Sequence, residues 1–129
     1  MIAIDDEVLK NKIMSRFKSI YINEGVELVD KDGIRNLLWC NIKQEYERSM
    51  IIIKTIDIPR LEFPSELPIY IYSDREEILY QDTFSGLCSY LLSLERWEYT
   101  DAEVFDDSLE WFIGISHDDR SILVGFNDD

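Results

Sequence analysis

The stretch Ala102-Glu-Val-Phe-Asp-Asp-Ser-Leu-Glu-Trp-Phe-Ile-Gly-Ile-Ser-His-Asp-Asp-Arg-Ser-Ile-Leu-Val-Gly-Phe126 decides the fold. Three apolar runs are separated by two polar turns, Asp106-Asp107-Ser108 and His117-Asp118-Asp119-Arg120. Asp and Ser favour such turns because their side chains bond the nearby backbone. Residues 102–127 therefore read as a three-stranded antiparallel meander. Trp111, Ile113 and Ile115 alternate with Glu110, Phe112, Gly114 and Ser116, so the first three share one face. Ile122, Val124 and Phe126 are expected to supply the matching face of the last strand.

Working outward, residues 83–97 carry Phe84, Leu87, Cys88, Leu91 and Leu92 at helical spacing, with Asp82 or Thr83 as the cap. Gly86 inside this helix weakens it by about 1 kcal/mol relative to Ala, so close packing on a neighbour is expected there. Residues 67–74 (LPIYIYSD) read as a strand ending in acids, and Pro59, Pro64 and Pro68 mark an extended connection before it. Residues 50–58 (MIIIKTIDI) are β-branched and nearly continuous in apolar character, which predicts another strand. Residues 34–46 fit both helical spacing and alternation; 34–42 is read as a strand forming a hairpin with 26–30 around the Asp-Lys-Asp-Gly turn. Residues 5–22 predict an amphipathic helix capped by Asp5 or Asp6, with Leu9, Ile13, Phe17 and Ile20 on its apolar face, Ile2 and Tyr21 flanking it, and Asn23 and Gly25 ending it. The expected fold is one α+β domain over residues 1–129, with two helices packed on a mostly antiparallel sheet of five to seven strands.

The chain has 129 residues, 46% apolar, with 27 acidic against 13 basic side chains and a formal charge of −14. Residues 1–60 hold ten of each sign, whereas residues 61–129 hold seventeen acids against Arg75, Arg96 and Arg120. The whole imbalance lies in the second half. Such a charge repels a phosphate backbone and an anionic membrane, which argues against nucleic-acid and membrane partners. No run reaches the ~18–20 apolar residues of a membrane span. The opening MIAIDDEV has neither the basic start nor the apolar run of a signal peptide, so a cytoplasmic location and free Cys40 and Cys88 thiols are expected.

Few constellations point to chemistry. His117 is the only histidine, and it stands beside Asp118 and Asp119 in a turn. A His–Asp pair can act as a general base or bind metal, yet Asp106 and Asp107 lie at the other end of the intervening strand, over ~20 Å away at ~3.3 Å per residue. Turn formation is the better reading of these acids. Asp74, Glu76 and Glu77 lack calcium-loop spacing and are split by Arg75. No phosphate-cradling glycine loop or nucleophile elbow occurs, and Ser85 is read as part of a helix. No catalytic residue, metal site or cofactor is assigned, and the chain is read as a non-enzyme.

A binding role is what remains. Carboxylates interleaved with Trp97, Tyr99, Phe105 and Trp111 suit a surface that steers and anchors a cationic partner. The segment 103–119, an aromatic, an acidic turn, Trp-x-Ile and a His-acid turn, resembles the closing hairpin of small bacterial proteins. These are similar in size and acidity to the immunity proteins of polymorphic and contact-dependent toxin systems. The resemblance spans 17 of the 129 residues and transfers no catalytic residue. It implies a toxin-neutralising protein that binds a basic partner, such as a nuclease toxin domain. The expected contact residues are Asp74, Glu76, Glu77, Asp106, Asp107, Trp111, His117, Asp118 and Asp119. Two alternatives are a small structural or regulatory adaptor whose acidity serves solubility and, third, a metal-dependent hydrolase. Lys10, Lys12, Arg16 and Lys18 would allow pairing with a second copy as a homodimer.

Overall fold

The computed structural model describes residues 1–23 and 41–126. Its centre is the meander: β5 (Ala102–Phe105), β6 (Phe112–Ile115) and β7 (Arg120–Val124) pair in sequence order. Around them lie β3 (Pro68–Ser73) and β4 (Ile78–Thr83) on one side and β2 (Ile51–Lys54) on the other. The short β1 (Ile2–Ala3) closes the far edge, giving a seven-stranded antiparallel sheet in the order β1-β4-β3-β5-β6-β7-β2. The α+β class holds, with helices packed on both faces of the sheet.

Helix α1 (Glu7–Tyr21) covers one face. Asp6 caps it, its carboxylate accepting from the Val8 and Leu9 amides at 3.0 and 3.2 Å. Ile13, Met14, Phe17 and Tyr21 are buried against Tyr72, Leu79, Phe105, Phe112, Ile122 and Val124. Met14 thus takes the place of Leu9 on the core face; of the two flanking residues Tyr21 is buried, whereas Ile2, like Leu9, is exposed. This rotation lets the Tyr21 hydroxyl donate to the Leu109 carbonyl at 2.6 Å. Leu109 has a left-handed backbone, φ 54°, which strains a bulky residue. Its buried side chain and the Tyr21 bond hold it there. Burial pushes the Tyr21 hydroxyl up to about 12, with the charges of Tyr46, Asp106 and Glu110 adding to the effect.

Helix α3 (Phe84–Leu92) covers the other face, following the single turn α2 (Gln44–Glu47) earlier in the chain. Phe84, Leu87 and Leu91 pack on Ile69, Ile71, Val104, Ile113, Ile115 and Leu123, and Leu92 points outward. Thr83 is the cap, accepting from the Gly86 amide at 3.1 Å. A Cβ on Gly86 would come 1.9 Å from the carboxylate of Asp82, four residues earlier, so the crowding there is local to the helix start rather than packing on a neighbouring element. The helix stops at Leu92, short of residue 97. The Ser93 hydroxyl donates to the Tyr90 carbonyl at 2.6 Å, a local bond that competes with helix continuation. Arg96–Glu98 then form a separate 3-10 turn.

Three further expectations change. The strand placed at 50–58 ends at Lys54, and Thr55–Arg60 wind into a 3-10 helix. Asp119 terminates the strand: its backbone carbonyl accepts from Thr55 and its carboxylate from Ile56, while the buried Thr55 and Ser121 hydroxyls bond at 2.8 Å. In β7 it is Leu123 that opposes Ile113, so Ile122 and Val124 join Phe112 on the α1 face. Phe126 returns to the Trp111 face because Gly125, at φ 86°, breaks the alternation. Strand β4, unmarked by the sequence pattern, pairs along all six residues of β3. The strand at 26–30 and most of 34–42 lie outside the described residues. At their borders, Ile22 and Ile42 form an antiparallel bridge.

Two outcomes test this packing. Phe17→Ala removes a ring stacked at 4.6 Å on Phe105 and edge-on at 5.1 Å to Phe112. It should cost about 3–5 kcal/mol in denaturant unfolding. Gly125→Ala places a Cβ 2.2 Å from the Glu110 carbonyl oxygen. It should cost more than the roughly 1–2 kcal/mol of left-handed backbone alone.

Candidate functional site

Strand direction sorts the acidic turns into two groups. Ser73 at the end of β3 opposes Ala102 at the start of β5, and Ala102 opposes Ile115 at the end of β6. The β3–β4 turn (residues 74–77), Asp101 and the β6–β7 turn (residues 116–119) therefore stand side by side at one end of the sheet. Helix α1 also begins there. Lys10 reaches the Glu77 carbonyl, and a cavity of about 170 Å³ is lined by Asp5, Glu7, Lys10 and Glu77. The turn at 106–111 occupies the opposite end, where α1 finishes on Leu109. The nine expected contact residues thus do not form one surface.

At the shared end each acid has a distinct setting. Asp74 is buried, and its amide donates to the Asp101 carbonyl at 3.1 Å. The Asp101 carboxylate accepts from the His117 amide at 2.9 Å, and the exposed His117 ring places Nδ1 3.1 Å from the same oxygen. Asp118 takes two bonds from Arg120, at 2.8 and 3.1 Å, and one from Ser116. Those bonds, Arg120's first, hold its carboxyl at about 2. Asp119 sits at φ 62° and braces the 3-10 helix. Asp readily adopts this left-handed conformation. Glu77, at φ 57°, closes the β3–β4 turn through a bond to the Ser73 carbonyl at 2.8 Å. Glu76 extends outward and accepts from the Tyr80 hydroxyl at 3.1 and 3.2 Å. Burial, followed by Glu76 itself, raises the Tyr80 hydroxyl above its ordinary value.

At the opposite end Asp106 folds onto Ser108, accepting from its amide at 3.0 Å. The Tyr70 hydroxyl is raised by burial and by its bond to Asp107, with Arg16 opposing. Trp111 is only 8% exposed and packs on Phe63 at 4.6 Å, so it is a core side chain rather than a contact for a partner. Phe105 and Tyr99 are buried as well; of the four aromatics expected at a binding surface, Trp97 alone stands out, 80% exposed.

The sequence reading overlooked Asp101 and Tyr80. An acid before a strand carries no local mark, and its meeting with the 74–77 and 116–119 turns depends on strand order. Glu103, counted among the charges of the second half, is fully buried opposite Tyr72 and Gly114 and contributes no surface. Among the described residues, no group of three His, Cys, Asp or Glu side chains is placed to hold a metal ion. Cys88 is a free thiol whose burial raises it away from the nucleophilic thiolate. No helix among the described residues is long and apolar enough to cross a membrane.

The Asp118–Arg120 pair has a direct test. Its lowered carboxyl contributes stability that is complete above the unfolded carboxylate value near 3.8 and is lost as pH falls toward 2. Arg120→Gln should raise Asp118 toward the usual carboxylate range, with the Ser116 bond still holding it somewhat low, read by NMR titration of its carboxyl carbon. Because the pair is exposed, the stability loss near neutral pH should stay below about 1 kcal/mol. Comparison with protein-family models, curated proteins and solved structures finds no match for this chain.

Proposed function

We propose that this protein is a toxin-neutralising, immunity-type binding protein that meets a basic partner, such as a nuclease toxin domain, through the acidic end of its sheet. The observation that carries this reading is the convergence of Asp101 with the 74–77 and 116–119 turns beside the start of α1. Acids from the electrically balanced first half, Asp5 and Glu7, join those of the second half there. Crowding like charges at one end costs self-repulsion, which a cationic partner relieves while being steered to contact. A nuclease active site must hold phosphate, and an acidic surface can occlude it by presenting the same sign of charge.

A second reading has its own support. Asp6 caps α1, Asp118 pairs with Arg120 and Asp119 braces the 3-10 helix, so several acids already serve the fold. On that reading the chain is an adaptor whose charge provides solubility, and it tolerates charge reversal.

Calorimetric titration with a purified basic nuclease domain separates the two. Binding should weaken steeply from low salt to ~0.5 M, where exposed charge pairs are screened. Glu77→Lys should weaken it about tenfold, and Asp107→Lys, at the far end, should have a much smaller effect. Equal effects of the two reversals, or salt-independent affinity, would remove the case for an electrostatic contact at this end.

A further inference from the structure

The β3–β4 turn borders a cleft that the acidic end alone does not explain. Between the outer half of α3 and strands β3 and β4 lies a cavity of about 40 Å³. Its floor is apolar: Ile71, Leu87, Leu91, Ala102 and Ile115. The remaining lining includes three tyrosines, Tyr80, Tyr90 and Tyr99, together with Ser73 and one carboxylate, Glu76. Tyr80 fixes that carboxylate by donating to both of its oxygens. Met1 also lines the cleft, with its amino group held 3.4 Å from Asp82.

Two physical features select the occupant. At about 10–15 Å³ per water position, the space holds about three waters, which suits the head of one side chain and not a nucleotide or a cofactor. Aromatic rings beside a single oriented carboxylate attract a cation, through the ring faces and through charge-assisted hydrogen bonds. A planar guanidinium meets both demands, because it stacks on rings and bonds a carboxylate with two parallel donors. An anionic group would be repelled by Glu76 at this short range.

We propose that this cleft receives the guanidinium of one arginine from a basic protein partner, held by Glu76 and flanked by Tyr80 and Tyr90. The proposal rests on the cationic partner inferred above and adds a specific anchoring point to it. Steering belongs to the exposed acids of the sheet end, whereas the cleft supplies a fixed contact next to them.

The experiment is an NMR titration of the full chain with a short arginine-containing peptide, with its lysine counterpart for comparison. Amide shifts should centre on Glu76, Tyr80, Tyr90, Leu94 and Ala102, and arginine should bind more tightly than lysine. Glu76→Gln should weaken the arginine peptide about tenfold, the worth of one charge-assisted hydrogen bond. Tyr90→Ala should weaken it as well, and Asp107→Asn should leave it unchanged. Shifts spread over the acidic end without the cleft residues, or an unaltered affinity in Glu76→Gln, would overturn the proposal. A basic protein that binds the wild type and Glu76→Gln equally removes the cleft while the broader partner reading stands. Peptide binding that needs Glu76, without any complex with a basic nuclease domain, keeps the cleft and removes the toxin reading.

Discussion

The ring of Phe17, stacked on Phe105 and edge-on to Phe112, joins α1 to the middle of the sheet. The rest of the structure depends on that contact because β5 and β6 are buried along their whole length on both faces. A sheet with two apolar faces needs two covers. Helix α1 supplies one, and α3 with the 55–60 turn supplies the other. Placing Phe17 also sets the direction of α1, so its acidic start falls at the end carrying the 74–77 turn and its last residue meets Leu109.

Charge follows from this geometry rather than from position along the chain. The division at residue 60 treats the first half as neutral, yet Asp5 and Glu7 lie with Glu77 at one cavity. Conversely, Glu103 and Asp74 are buried, and Asp106 and Asp107 face away at the opposite end. The same end combines two kinds of acid. Asp118 and Asp119 are held by Arg120 and by the 3-10 helix, while Glu76 projects from its turn and is oriented by the Tyr80 hydroxyl. A carboxylate already bonded to an arginine has less to gain from a partner than one that extends into a cleft.

Local rules made much of the fold legible. The capped starts of α1 and α3, the two turns of the meander and the strand at 68–73 all appear close to where spacing and turn residues put them. The misreadings share a cause. Strand β4 holds a single fully buried apolar residue, Leu79, between half-buried Ile78 and Tyr80, and its second half, Gln81-Asp82-Thr83, is polar, so alternation barely marks it. The stretch 50–58 is largely apolar, but its second half is claimed by Asp119, a residue more than sixty positions away. In β7, Ile122, Leu123 and Val124 are all apolar, and pairing with β6 rather than composition chooses which of them faces which helix.

By itself, then, the sequence determined the α+β class, the meander, the helix starts and the overall negative charge, because each rests on neighbours within a few residues. Only the tertiary structure decided which acids meet and which are buried. It also revealed that Trp111 is core and that Glu76 shares a cleft with three tyrosines. Those outcomes depend on strand order and on the rotation of two helices, and such non-local arrangements leave no periodic mark in the chain.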